Sequence, residues 1–312
     1  MKSIILCSVL ILTSAGIALG GDPGTFDFLR LPVGARAAAL NGSFVSMKND
    51  PNGIFANPAS LTTIQRRTLS IGYTKHLLDI NGGNASYTQY LNGIGHIGAG
   101  MIVMDYGSFD MTDESMNRTG TFGARDLALL VGGALPVAEF TSAGVNLKFI
   151  HSTIASYNSS ALAVDIGVFY EIPSEQITIG ASVLNLGRQL SPFVNQRESL
   201  PLDVKVGITK KPLHLPVHLN LNFHKLNESH DSILETFSNF TFGVELLMSE
   251  SLQLRLGYSN EQRKELKLGS SSGLAGFAAG GGLHLQDYTV DYAFNSYGKI
   301  GGIHRISVGI SL

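Results

Sequence analysis

Several stretches of the chain carry residue types that could do chemistry. Gly269-Ser270-Ser271-Ser272-Gly273 fits the G-x-S-x-G pattern of a serine hydrolase. The nucleophile elbow of such an enzyme is a strand-to-helix turn, whereas this run reads as a Ser/Gly-rich loop ahead of a strand. Gly93, Gly95 and Gly98 fit G-x-G-x-x-G, but a phosphate cradle needs a helix next and a strand follows. These glycines read instead as relief of crowding in a turn and strand. His218 and His224 share one strand face, too far apart along it to act as an adjacent metal-ligand pair. Asp203 and Lys205, two apart on one face, read as a salt bridge. No nucleophile stands beside a base. The chain is therefore read as non-enzymatic, with no cofactor and no metal.

The elements that carry these residues have a period of two. From about Arg67 to Leu312, apolar and polar residues alternate in segment after segment, as in Leu252, Leu254, Leu256 and Tyr258 against Gln253, Arg255 and Gly257. The same holds for Ile306, Val308, Ile310 and Leu312 against Arg305, Ser307 and Ser311. Successive side chains of a strand point to opposite faces, so one surface is apolar throughout. The other face carries charge in mid-strand: Lys148, Asp165, Asp203, Lys205, Glu245, Arg255, Asp291 and Arg305. In a dry core, unpaired charges would cost several kcal/mol or more each. A hydrated lumen removes that cost, so the pattern reads as an all-β transmembrane antiparallel outer-membrane barrel.

Composition agrees. Charged residues make up 15% of 312, Gly is abundant at 36, and mean hydropathy is +0.17. No apolar stretch after residue 20 is long enough for a spanning helix, which leaves a closed barrel as the way across. At the N-terminus, Lys2, the apolar run Ile4 to Leu12, and Ala18 and Gly20 read as a signal peptide over residues 1–20. Its removal takes away Cys7, the one cysteine, and with it disulfide and thiolate chemistry. It also takes the charge from 22 − 24 = −2 to 21 − 24 = −3, which gives no electrostatic case for nucleic acid.

The alternating segments predict about 14 strands near 67–73, 84–91, 94–105, 124–134, 140–150, 159–170, 176–184, 201–209, 215–224, 238–247, 251–259, 275–285, 287–294 and 303–312. The connections between them alternate short and long, as periplasmic turns and extracellular loops do. Short ones fall near Asn92, Pro136–Glu139, Pro173–Glu175, Lys211–Pro212, Met248–Glu250 and Gln286–Asp287. The long ones, such as 106–123, 185–200 and 225–237, are the natural place for partner recognition. This rhythm puts the segment before the barrel and Leu312 on the periplasmic side. Tyr73, Tyr90, Tyr106, Tyr170, Phe223, Tyr258 and Tyr288 fall near strand ends, as interfacial girdles require.

Residues 21–66 do not alternate. The alanine-rich run after Gly34 predicts a short helix stopped at Gly42. Asp50-Pro51-Asn52-Gly53 and Ala56-Asn57-Pro58-Ala59 are breaks. Phe26, Phe28, Leu29, Leu31 and Val33 are too many apolar residues for a free tail. The segment is expected to be a hatch in the periplasmic half of the lumen, giving 1–20 signal, 21–66 hatch and 67–312 barrel.

The run Phe28-Leu29-Arg30-Leu31-Pro32-Val33-Gly34-Ala35-Arg36-Ala37-Ala38-Ala39-Leu40-Asn41-Gly42, then Asn57-Pro58-Ala59, resembles the N-terminal signature of the PorV/PorQ family. Asp291-Tyr292-Ala293-Phe294 with Gly302-Ile303-His304-Arg305-Ile306-Ser307 resembles its closing hairpin. Thr68 to Tyr73, Phe122 to Leu129 and Lys148 to Ser152 favour the PorQ branch. The resemblance implies a FadL-like, hatch-containing barrel of the type IX secretion system. A PorQ-like member anchors the surface attachment complex, with PorZ-like, PorU-like and PorV-like partners; a PorV-like member shuttles cargo. It carries over Arg30, Pro32, Gly34, Arg36, Gly42, Asn57, Pro58 and Ala59 as structural hatch residues. A competing reading is a FadL-like transporter of hydrophobic small molecules, which needs an apolar capture groove among the loops.

Overall fold

The computed structural model describes residues 25–228, 233–266 and 273–312. The expected signal peptide with Cys7, and Gly269 to Ser272 of the hydrolase-like run, lie outside the described residues.

Strict alternation from residue 68 onward produces a closed antiparallel barrel. Its strands are β1 (Thr68–Lys75), β2 (Asn81–Leu91), β3 (Gly95–Thr112), β4 (Arg118–Ala138), β5 (Thr141–Ile154), β6 (Tyr157–Ile172) and β7 (Ile177–Ser191). They continue as β8 (Asp203–Lys210), β9 (Val217–Phe223), β10 (Phe240–Leu247), β11 (Leu252–Ser259), β12 (Phe277–Leu285), β13 (Tyr288–Ser296) and β14 (Gly302–Ser311). Each strand pairs with its sequence neighbours, and β1 closes on β14 from Thr68↔Ser311 to Lys75↔His304. Closure leaves no unpaired edge, which a bilayer requires.

The outer surface is apolar. Leu252, Leu254, Leu256, Ile306 and Val308 are all exposed, while Arg255, Arg305 and Ser307 between them are buried. An aromatic row crosses β9 to β12 near their long-loop ends, with ring pairs Phe240–Tyr258 at 6.1 Å and Tyr258–Phe277 at 5.2 Å. Tyr106 departs from the expected girdle. It is partly buried against the luminal core, and its hydroxyl donates to Asp126 at 2.6 Å.

The strands differ from expectation in height. β3 and β4, at 18 and 21 residues, continue through most of the expected 106–123 loop, and their connection shrinks to 113–117. β5 to β7 are also tall at 14 to 16 residues, whereas β8 to β11 have 7 or 8. A spanning strand needs about 9–11 residues, so β3 to β7 form a wall that projects beyond the rest. Regular alternation within 106–123 was masked by polar residues on both faces, which is what a strand standing clear of lipid allows.

The lumen is filled by residues 25–66. These comprise a 3-10 turn (Asp27–Arg30), helix α1 (Ala35–Ala39) and two further 3-10 turns (Pro51–Phe55 and Pro58–Thr63). Phe26, Phe28, Leu29, Ile54, Phe55, Leu61 and Ile64 pack on Ile102, Met104, Ala128, Leu130, Ile150 and Ala161 of the barrel wall. The segment is not confined to one half of the lumen. Its start meets the long-loop end, where the Thr25 amide donates to Glu198 at 2.9 Å and Arg30 pairs with Glu228 at 3.0 Å. Its later part reaches the short-turn end, where Lys48 pairs with Glu171. The first described residue therefore lies at the opposite end from Leu312, and not beside it as the loop rhythm suggested.

Candidate functional site: the plugged lumen

The luminal segment is seated on two stripes of glycine. On β5, β6 and β7, a Cβ on Gly144 would stand 2.6 Å from Ala59 N and from the Pro58 carbonyl carbon. A Cβ on Gly167 would stand 2.0 Å from Asn57 Oδ1, and one on Gly180 2.2 Å from the Val45 carbonyl oxygen. On β10, β11 and β12, Cβ atoms on Gly243, Gly257 and Gly280 would meet Leu40 and Ala39 at 3.0 Å or less. α1 and the Asn57-Pro58-Ala59 turn thus lie directly on the sheet. Each of the six falls in the inward phase of its strand.

Asn57, fully buried, pins the second seat. Its Nδ2 donates to the Val45 and Val168 carbonyls, both at 3.0 Å, and its Oδ1 accepts from the Ala59 amide at 3.1 Å. Pro58 opens the following 3-10 turn, where its missing N–H costs nothing. At the first seat, Gly34 takes φ +84° directly before α1, so close to Asn52 that a side chain would collide with its amide. Gly42, at φ +80°, donates back to the Ala37 carbonyl at 2.8 Å and ends the helix, with Pro32 packed beside it.

The charged inward residues other than Arg305 are paired with one another, and a hydrated lumen is not what accommodates them. Arg36 donates through Nε and Nη2 to the two carboxylate oxygens of Glu245 at 2.8 and 2.9 Å, with Asp50 3.6 Å from its Nη1. Glu245 also accepts from Arg255 at 2.7 Å and contacts His218 at 3.0 Å, and Arg255 reaches Asp291 at 2.5 Å. This chain of alternating charge ties the luminal segment to β10, β11 and β13. A second cluster joins Lys148 to Asp165 at 3.0 Å and to Asn185 at 2.7 Å, and Asn146 links Asp165 to the Ile54 carbonyl. Asp203 and Lys205 pair at 3.1 Å, as their spacing predicts.

Two polar cavities remain at the ends. At the short-turn end a cavity of about 860 Å³ is lined by Arg36, Lys48, Asp50, Asn52, His218 and Glu245, among others. At the long-loop end one of about 280 Å³ has Arg30, Pro32, Asn41 and Gly42 on its floor, with His224, Glu261 and Arg305 in its walls. His218 and His224 thus open into different cavities and do not meet. Glu261 belongs to the short helix α3 (Asn260–Glu265), numbered after a one-turn helix α2 (Ile233–Thr236). It accepts from His224 Nε2 at 2.7 Å and pairs with Lys225. Burial alone would raise the Glu261 carboxyl, but His224 and Lys225 outweigh it and bring its pKa down to about 2.

Three solved barrels share the architecture. The Pseudomonas putida toluene transporter TodX superposes with a TM-score of 0.60 at 13% identity, over 90% of this chain and 97% of its own. The Ralstonia pickettii toluene transporter TbuX gives 0.59 at 11%, over 89% and 96%. A Pseudomonas aeruginosa FadL homologue gives 0.57 at 10% identity, over 89% and 98%. The fold is that of the FadL-type outer-membrane barrels. No protein-family model and no curated protein sequence matches the chain.

Proposed function

We propose that the chain is a non-enzymatic outer-membrane component of type IX protein secretion. In this reading it is PorQ-like and anchors the surface complex that processes and attaches cargo, with PorZ-like, PorU-like and PorV-like partners. The observation that carries it is the lumen, which the luminal segment fills from β2–β6 to β11–β14, with polar cavities at both ends. A barrel so filled acts through its rim. The residue resemblance at 28–42, 57–59 and the closing hairpin supports the same reading. The long loops then face the cell exterior, with Leu312 in the periplasm. A PorV-like shuttle is the variant of this reading in which the rim carries cargo.

A FadL-like transporter of hydrophobic small molecules is the second reading. The solved structures favour this one over secretion, because barrels of the same fold include toluene transporters and a monoaromatic hydrocarbon channel. Transport requires the luminal segment to move aside, since its apolar side chains occupy the space a ligand would cross.

Proteomics of surface, medium and periplasm in a deletion strain separates the two. Under the secretion reading, proteins with type IX C-terminal signals lose surface attachment or build up behind the membrane, while other exports stay normal. Unchanged cargo together with failed growth on a hydrophobic nutrient would replace it with transport.

A further inference from the structure

Arg305 projects inward from β14 and is 4% exposed. Among the described residues its side chain makes one hydrogen bond, from Nη1 to Asn295 Oδ1 at 2.6 Å. The other deeply buried cations, Arg36, Lys148 and Arg255, each hold a carboxylate. Among the described residues Arg305 holds none. A buried charge without a counter-ion is strongly unfavourable, and a guanidinium has five N–H donors in a fixed fork.

Arg305 lines the 280 Å³ cavity at the long-loop end. The remaining cations of that cavity are taken: Lys205 by Asp203, Lys225 and His224 by Glu261, and Arg30 by Glu228. Arg30 Nε is itself buried with no acceptor. Among the described residues Arg305 is thus the cavity cation with no carboxylate within 4 Å, beside unused N–H donors, while Glu265 on the same wall is in no ion pair.

We propose that this cavity binds one carboxylate, of a small polar molecule or of a free polypeptide C-terminus, with Arg305 as its planar two-pronged donor. The choice of a single negative charge follows from the surroundings. Asp203, Glu261 and Glu265 also line the cavity, so a dianion such as phosphate would meet three carboxyls against one unpaired cation. The site is independent of both the secretion and the transport readings.

The test uses the full-length barrel in detergent, with ¹³C-acetate as probe and folding followed by heat-dependent mobility on gels. Saturable broadening of the acetate signal is expected with the native chain. A loss of at least tenfold in affinity is expected in Arg305→Gln, with an intermediate loss in Arg305→Lys. Absent saturation, or equal binding by folded Arg305→Gln, overturns the site. Phosphate binding as tightly as acetate overturns the single-charge assignment. Should the variants not fold, acetate must still raise the unfolding temperature of the native chain above a matched chloride control, and no rise overturns the proposal. Displacement of acetate by a tripeptide with a free C-terminus, but not by its amide, assigns the site to chain ends. Displacement by neither assigns it to small carboxylates.

Discussion

Arg36 of the luminal segment grips Glu245 of β10 with both prongs of its guanidinium, at 2.8 and 2.9 Å, and Arg255 holds the same carboxylate from β11 at 2.7 Å. One acid thus joins two cations that come from separate parts of the chain, each with one further carboxylate of its own. Removal of the acid and removal of one base are therefore unequal. Glu245→Ala, which leaves Arg36 with Asp50 at 3.6 Å and Arg255 with Asp291 alone, is expected to cost about 3–5 kcal/mol. Arg36→Ala, which leaves Glu245 with Arg255, costs less. Urea unfolding of the reconstituted barrel followed by tryptic release of the luminal segment measures both.

The glycine seats give a second expectation. In Gly144→Val the added side chain occupies the place of the Pro58–Ala59 backbone, so the turn must lift. Overpacking of this kind costs about 1–3 kcal/mol. Asn57→Ala removes the side-chain donor from the buried Val45 carbonyl and from the Val168 carbonyl, at about 1–3 kcal/mol. Both variants should keep the β-sheet circular dichroism signal while exposing residues 25–66 to limited proteolysis. Native resistance in both would mean that this seat does not retain the segment.

Glu261 predicts an acid-sensitive loop. Its carboxyl titrates at about 2 when folded, against an ordinary 4.5. A depressed folded value contributes stability that is complete above 4.5 and is lost as pH falls from there through about 2. Amide exchange in α3 and around His224 and Lys225 should accelerate across that window. In Glu261→Gln the acceleration should be present already at neutral pH.

On the outer face, Leu254→Arg and Val308→Arg each place a charge where lipid is expected, at about 2–4 kcal/mol near the midplane. Reduced insertion into vesicles should follow for both. Unimpaired assembly of the double variant would show that these faces do not meet lipid.

The strand order was legible because a period of two needs no tertiary information: every strand from 68 to 311 lies over an alternating segment. The height of β3 to β7 was not legible, because outside lipid a strand has no apolar face to announce it. The charges at 148, 165, 245 and 255 were correctly placed on the inward face but assigned to water. Their partners lie far away in sequence, as Arg36 does from Glu245, and only the closed ring brings them together. Asn57, Gly34 and Arg36 stood out through the family-like run. The glycines that receive them, Gly144 and Gly257 among them, looked like any strand glycine until the luminal backbone was laid against them.

The unequal strands make the mouth of the barrel lopsided. β3 to β7 rise as a screen on one flank, while the cavity holding Arg305 draws its walls from β8, β9, β10, β11, β13 and β14 on the low flank. A ligand or partner reaching that mouth therefore arrives from one side, and anything large must dock with a fixed heading relative to the screen.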